Sequence, residues 1–200
     1  MGSLSLTTPG QKGLAKNEII IPSPSYSIRN NCSLGRWMKS DGETEIGAEL
    51  TFSLLHCENM YGDLGKAKST YWLQVWGVSD QILEGRVAFC TYVKGRSLNL
   101  LSTSILEAVL NETNVGELLL KSTFQKQQNE YGVHYIVKFE QLPIEKTDPN
   151  IKKIQSLMVK KPIFLDTNIP ETLFRTEDMT PDESMEKLER IRATIKANKN

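Results

Sequence analysis

The chain has 200 residues, enough for one domain whose core needs no disulfide staples. Lysine and arginine together number 24, as do aspartate and glutamate, so no global field favours nucleic acid or a membrane surface. Any anion-binding surface must therefore be local. No apolar run reaches the roughly 20 residues that span a bilayer.

The cysteines and the N-terminus indicate a reducing compartment. Cys32, Cys57 and Cys90 are scattered and odd in number, unlike a disulfide framework. The first residues lack the basic and apolar regions of a signal peptide. We therefore expect a soluble, cytoplasmic protein without a membrane partner.

Residues 1–45 are predicted to form an N-terminal extension. Residues 1–17 are rich in Gly, Ser, Thr and Lys, which is typical of disorder. Residues 25–44 carry Tyr26 and Trp37 among polar residues and indicate either an ordered loop or a lead-in pair of strands that covers a sheet. Trp37 is interpreted as a lid over a hydrophobic edge.

Residues 46–146 show the pattern of a β-rich domain with one helix. Period-2 and period-3.6 patterns follow each other as strands at 46–57, 70–78 and 86–93, a helix at 97–111, and strands at 115–126 and 132–142. Residues 59–68 are predicted to be a turn-rich loop. Three strands, one helix and two strands is the order of an OB-fold. We therefore predict a mainly β fold with a closed or nearly closed five-stranded antiparallel barrel.

Residues 147–200 are predicted to be a C-terminal extension. Residues 148–160 suit a short helix, and the apolar but aperiodic stretch 162–175 suits a tether across the barrel. Thr180-Pro181-Asp182-Glu183 combines a capping box with proline at the first helical position, which predicts a helix over 181–197. Its apolar stripe predicts docking onto the domain, a partner protein or a second copy, through Met185, Leu188, Ile191 and Ile195.

Two neighbouring strands carry aromatic, polar and basic side chains on the face opposite to their apolar one. Flat rings beside cations can stack bases and bind phosphates, so this face is a candidate for single-stranded nucleic acid. The alternative is that the tryptophans pack under a loop or a second element. The candidate nucleic-acid-binding residues are Trp72, Gln74, Trp76, Arg86, Tyr92, Lys94, Arg96, Lys121 and Lys126.

No catalytic, metal or cofactor site is predicted. The cysteines and His56 include no pair at chelating spacing. The stretch 62–66, GDLGK, lacks the spacing of a phosphate-binding loop. The run FLDTN at 164–168 is similar to the acidic start of PIN-type nucleases, but too few residues follow it for such a domain. His56 and His134 both lie in predicted strands, so no nucleophilic triad can be assembled and we do not expect an enzyme.

Residues 50–142 resemble the OB-fold single-stranded DNA-binding proteins, particularly the divergent kind of phages, plasmids and mobile elements. The resemblance consists of the strand order, the aromatic residues Trp72, Trp76 and Tyr92, and the basic run Lys94-Gly95-Arg96. It implies non-catalytic binding of single-stranded DNA through the second and third strands, in replication, recombination or mobile-element maintenance.

The chain also departs from that family. It ends in Lys196-Ala-Asn-Lys-Asn and lacks an acidic, aromatic-tipped tail, so recruitment of repair partners through such a tail is not expected. The alternative function is that of a structural or adaptor OB protein in a nucleoprotein or phage assembly. In that case Trp72 and Trp76 would be buried against protein rather than stacked on DNA.

Overall fold

A computed structural model of the chain describes residues 19–114, 117–130, 132–143 and 164–198. The disorder predicted for 1–17 and the short helix predicted over 148–160 lie outside these residues. Within the described ranges, no helix is long and apolar enough to cross a membrane.

Over these residues the fold is mainly β, as the sequence predicts, with nine strands in one sheet. The strands are β1 (Tyr26–Asn31), β2 (Arg36–Lys39), β3 (Glu45–Gly47), β4 (Glu49–Leu64), β5 (Ala67–Val78), β6 (Phe89–Lys94), β7 (Leu119–Asn129), β8 (Gly132–Leu142) and β9 (Leu173–Arg175). The helices described are α1 (Gly95–Leu110) and α2 (Pro181–Ala197). A single 3-10 turn at Leu83–Gly85 precedes β6.

The sheet is open, so the prediction of a closed or nearly closed five-stranded barrel is wrong in both closure and strand count. Its order is β3-β2-β1-β6-β5-β4-β7-β8, with β9 paired to β4. Strand β1 runs parallel to β6 and occupies the edge that β6 would need for closure onto β8. An edge strand needs partners for its free amides and carbonyls, and here the N-terminal residues supply them. Tyr135 N does donate to Cys32 O over 2.8 Å, where the β1–β2 turn reaches β8.

The middle of the chain follows the predicted order of elements. Strand β8 has the predicted bounds, and α1 covers the predicted helix with a shift at each end. The loop predicted at 59–68 is wrong, because β4 and β5 continue as a long hairpin through most of it. The apolar side chains of Met60 and Tyr61 are buried there, which favours extended strands over an exposed loop.

The main core lies between the inner face of the sheet and α1. Its fully buried members include Leu50, Phe52, Leu54, Val75, Phe89, Leu101 and Leu120. Phe52 and Phe89 meet edge to face with ring centroids 5.5 Å apart. A Cβ at Gly77 would lie 2.8 Å from both rings, so only glycine fits where they approach each other. Val109, near the C-terminal end of α1, lies outside this core and is exposed.

Trp37 belongs to this core rather than acting as a lid over an edge. It is 1% exposed, and its indole Nε1 donates to Ser122 Oγ over 3.0 Å. Its ring meets Phe124 of β7 edge to face at 5.7 Å. The lead-in pair of strands, one of the two alternatives for residues 25–44, is therefore β1 and β2, and it fills the space between β6 and β7–β8.

Helix α2 has the predicted start and packs on the β4–β5 hairpin. Thr180 and Glu183 form the capping box. Leu188 is fully buried, whereas Met185 of the same predicted stripe is 51% exposed, so only part of the stripe docks. Arg192 Nη2 lies 2.6 Å from Asp63 Oδ1, and Ser69 N donates to the same oxygen over 2.9 Å. Burial raises the pKa of Asp63, but the hydrogen bonds from Arg192 and Ser69 outweigh it and hold the pKa below its usual range.

We expect Arg192→Ala to lower the thermal stability of the protein near neutral pH. Because the pKa of Asp63 is depressed in the folded state, the stabilisation that the Arg192–Asp63 ion pair gives is fully present above about pH 3.9, the pKa of an aspartate in the unfolded chain. It is then lost as the pH falls through the lower folded value. The difference in melting temperature between wild type and variant should therefore shrink at acidic pH.

Arg190→Ala is the matched control, since Arg190 lies on the same helix and, within the described part of the chain, pairs only with the exposed Glu186. Exposed ion pairs contribute little, so this control should melt near the wild type. Equal losses for both variants across the whole pH range would contradict the ion-pair interpretation.

Candidate nucleic-acid interface

The candidate face is the outer side of β5 and β6. In β5 the side chains of Leu73 and Val75 point into the main core, so Trp72, Gln74 and Trp76 lie on the opposite side, since strand side chains alternate. Tyr92 of β6 joins them because it pairs with Gln74 in the antiparallel register. We call Trp72, Gln74, Trp76 and Tyr92 the outer face.

Both tryptophans of the outer face are buried, as the packing alternative expects. Trp76 is 0% and Trp72 7% exposed. Trp76 packs with Ile19, Leu55 and Phe164 in a second core outside the sheet. Trp72 packs with Met60 and Leu173 in a third. Trp72, Gln74 and Trp76 are therefore shielded from solvent, whereas Tyr92 is partly exposed.

A chain of hydrogen bonds links the polar groups of the outer face. Trp76 Nε1 donates to Gln74 Oε1 over 3.2 Å, and Gln74 Nε2 donates to the Tyr92 hydroxyl over 2.7 Å. That hydroxyl donates to Asp166 Oδ2 over 3.0 Å. Burial raises the pKa of Tyr92, so the hydroxyl keeps its proton and remains a donor. Ser25 Oγ donates to Asp166 Oδ1 over 2.5 Å and completes the chain.

Residues 164–175, which we call the cover segment, lie across this face. Phe164 stacks on His56 with ring centroids 5.1 Å apart and planes 5° apart, and its ring lies 5.5 Å from that of Trp76. At the far end, β9 pairs antiparallel with β4. A Cβ at Gly62 would collide with Thr172 O, so only glycine admits the segment at this crossing. The tether suggested for 162–175 is seen over its described part.

An acidic and basic cluster holds the end of the cover segment. Arg175 Nε lies 2.8 Å from Glu58 Oε2 and Arg175 Nη2 donates to Phe164 O over 3.1 Å. Burial, together with a hydrogen bond to Glu177, raises the pKa of Glu58 against the opposing effect of Arg175. Burial also lowers the pKa of His56, and the Arg175 charge adds to that effect. His56 therefore favours its neutral form beneath the Phe164 ring.

Three exposed cations lie where β6 enters α1 and on the neighbouring β7–β8 hairpin. Lys94 Nζ lies 5.1 Å above the Trp72 ring, a cation–π contact at the margin of the outer face. Arg96 Nη1 donates to Gln127 Oε1 over 3.2 Å, which brings the β7–β8 hairpin to this end, and Lys126 precedes Gln127 in β7. We call Lys94, Arg96 and Lys126 the cationic rim.

The other two predicted cations lie elsewhere. Lys121 on β7 pairs with Glu49 Oε2 at 2.8 Å, and this hydrogen bond and charge raise the pKa of Lys121. Arg86 precedes β6 at the end of the strand away from Lys94, and its Nε is buried without a hydrogen-bond partner among the described residues. The structure thus groups the aromatic residues with Lys94, but it does not bring all the predicted cations together.

Four residues that the sequence interpretation did not assign to this face contact it: Ser25, His56, Phe164 and Asp166. The sequence signal for the last two was the run FLDTN, an aromatic and an acid at a spacing of two inside the apolar but aperiodic stretch 162–175. Across the described ranges, no three His, Cys, Asp or Glu side chains form a group that could hold a metal ion. The three cysteines are free, and burial raises the pKa of Cys90.

Comparison of the chain with protein-family models, curated proteins and solved structures gives no match.

We expect Tyr92→Phe to destabilise the folded protein by about 1–3 kcal/mol, because Gln74 and Asp166 each lose a buried hydrogen-bond partner. Urea unfolding measures the change. Combining it with Asp166→Asn should give less than the sum of the two single effects, since the residues share one hydrogen bond.

Tyr71→Phe is the control, because Tyr71 is a partly exposed tyrosine of the neighbouring strand β5. Its free energy of unfolding should change little. Additive effects of Tyr92→Phe and Asp166→Asn would show that the two groups do not act through a shared hydrogen bond.

Proposed function

We propose that the chain is a non-catalytic module that binds single-stranded DNA through the β5–β6 side of its sheet. The observation that carries the proposal is the strand order β6-β5-β4-β7-β8, with α1 between β6 and β7 in the chain. In an OB-type unit the first strand lies between the second and the fourth, and the second and third strands bind oligonucleotides. In this proposal β4–β8 and α1 form such a unit, and the remaining strands extend its sheet.

The cationic rim supports this function. The net charge of the chain is zero, so phosphate attraction has to come from a local group of cations. Lys94, Arg96 and Lys126 are all exposed, and Lys94 lies directly over the margin of Trp72. A strand whose phosphates contact the rim would have its bases beside the aromatic residues of the outer face.

A second function is favoured by the contacts of the cover segment. The outer face binds a protein segment here, with an aromatic ring on Trp76 and a carboxylate on Tyr92. An adaptor in a nucleoprotein or phage assembly would use this face for protein instead of DNA. Such an adaptor would bind duplex and single-stranded DNA equally weakly, which separates it from the first proposal.

We expect Lys94→Ala and Arg96→Ala each to weaken binding of oligo-dT and to reduce the log–log salt slope by roughly 0.7, because each removes one phosphate contact. Titrations of fluorescent oligo-dT at several salt concentrations measure both quantities. Lys39→Ala is the matched control, since Lys39 is an exposed lysine on β2, which β1 separates from β6.

The control should keep the affinity and slope of the wild type. Wild-type protein that fails to bind oligo-dT even at low salt, or that binds it no better than duplex DNA, would refute the proposed function. An unchanged slope in both rim variants would place the phosphate contacts elsewhere on the molecule.

A further inference from the structure

The cover segment presents an aromatic ring and an anion to the outer face, two residues apart in the chain. Phe164 lies flat on the His56 imidazole and tilts against the Trp76 indole. Asp166 then accepts hydrogen bonds from Ser25 Oγ at 2.5 Å and from the Tyr92 hydroxyl at 3.0 Å. A ring and an anion are also the two parts by which a single strand is bound without regard to sequence.

We propose that these contacts mark two subsites for single-stranded DNA, which the cover segment fills in the free protein. His56 and Trp76 form a base subsite, and Ser25 and Tyr92 form a phosphate subsite. The inference rests on the proposed function and deepens it by naming where one nucleotide binds. His56 and Ser25 extend the interface beyond β5 and β6.

The chemistry of each subsite allows a nucleotide to replace the cover segment. A base stacks on the flat faces of aromatic rings whatever its identity. Hydroxyl donors that bond a carboxylate oxygen can bond a phosphate oxygen in the same way, because both acceptors are anionic. The neutral form of His56, which its burial favours, offers a ring face for stacking rather than a charge.

DNA and the cover segment compete for the same subsites in this arrangement. DNA can enter the subsites only when the cover segment has left them. We call the fraction of molecules in that state the open fraction, and the apparent dissociation constant is the intrinsic one divided by it. A substitution that weakens the segment should therefore tighten DNA binding, although the substituted residue does not contact DNA. Few other arrangements predict a gain of affinity from the loss of a buried aromatic ring.

Three substitutions in neighbouring positions test this in the full chain. Phe164→Ala removes the ring, Asp166→Asn removes the anion with little change of shape, and Leu165→Ala changes the residue between them. Leu165 is 52% exposed and does not line either subsite, so it is the matched control. Affinity for fluorescent oligo-dT is measured by anisotropy at fixed salt, and thermal melting confirms that each variant is folded.

We expect Phe164→Ala and Asp166→Asn to tighten oligo-dT binding on the order of tenfold, because weaker docking of the segment raises the open fraction. Leu165→Ala should bind like the wild type. Adding His56→Ala to Phe164→Ala should reverse most of the gain, since the base then loses a stacking surface. In the wild type, oligo-dT should also speed amide exchange at Asn168, whose N–H donates to Asp166 Oδ1 over 3.0 Å.

The outcomes separate the inference from the proposed function. Wild-type binding to oligo-dT that is salt-dependent but unchanged or weaker in Phe164→Ala and Asp166→Asn would overturn the inference and leave the proposed function standing. Failure of the wild type and of every variant to bind would overturn both. Should Phe164→Ala melt below the assay temperature, the isosteric Asp166→Asn decides the matter.

Discussion

Burial of β5 on both faces is the constraint on which the rest of the structure depends. Every residue from Trp72 to Val78 is buried. Antiparallel strands commonly pack one face on a core and leave the other in water, with alternating apolar and polar side chains. A strand that is apolar or aromatic on both sides needs a cover on each. The main core with α1 covers one side, and residues 19–21 together with the cover segment cover the other.

This double burial explains why distant parts of the chain are drawn onto one hairpin. Two carboxyl groups on β4 help to hold them, and their environments shift their pKa values in opposite directions. Asp63 is a charged partner of Arg192, and its pKa is lowered. Glu58 lies beneath the cover segment beside Glu177, and its pKa is raised. Helix α2 is thus attached by an ion pair whose carboxyl group has a lowered pKa, whereas the segment before it is attached through Arg175 to a carboxyl group whose pKa is raised by burial.

The periodic elements could be predicted from the sequence because their signals are local. The alternation in β8 and the helical spacing in α1 need no knowledge of distant residues. Strands β1 and β2 have no such signal, since their sequences YSIRNN and RWMK alternate poorly. Their pairing is decided by Ile28 and Trp37 entering a core built by other strands. Closure failed as a prediction for the same reason, because β1 competes for the edge of β6 through contacts made only in the folded chain.

The outer face shows why the candidate site could be predicted only in part. Trp72, Gln74 and Trp76 alternate correctly and lie together with Tyr92, as expected. Whether these side chains are exposed could not be predicted from the alternation. Gln and Trp suit a solvent-exposed surface that stacks bases and a buried, hydrogen-bonded layer equally well. The outer face is covered because Phe164 and Asp166 lie on it, and these residues come more than 70 positions later in the chain. Local periodicity carries no information about a contact at that separation.

Charge sets the order of events in the proposed function. The proposed subsites beneath the cover segment are lined by hydroxyl and aromatic groups, which would bind DNA only at contact distance. The cationic rim is exposed, and its charges can attract phosphates over the Debye length, about 8–10 Å at physiological ionic strength. A strand would therefore meet Lys94 and Arg96 before it reaches Trp76. Lys94 lies over Trp72, so a phosphate bound to this lysine would already lie beside the outer face.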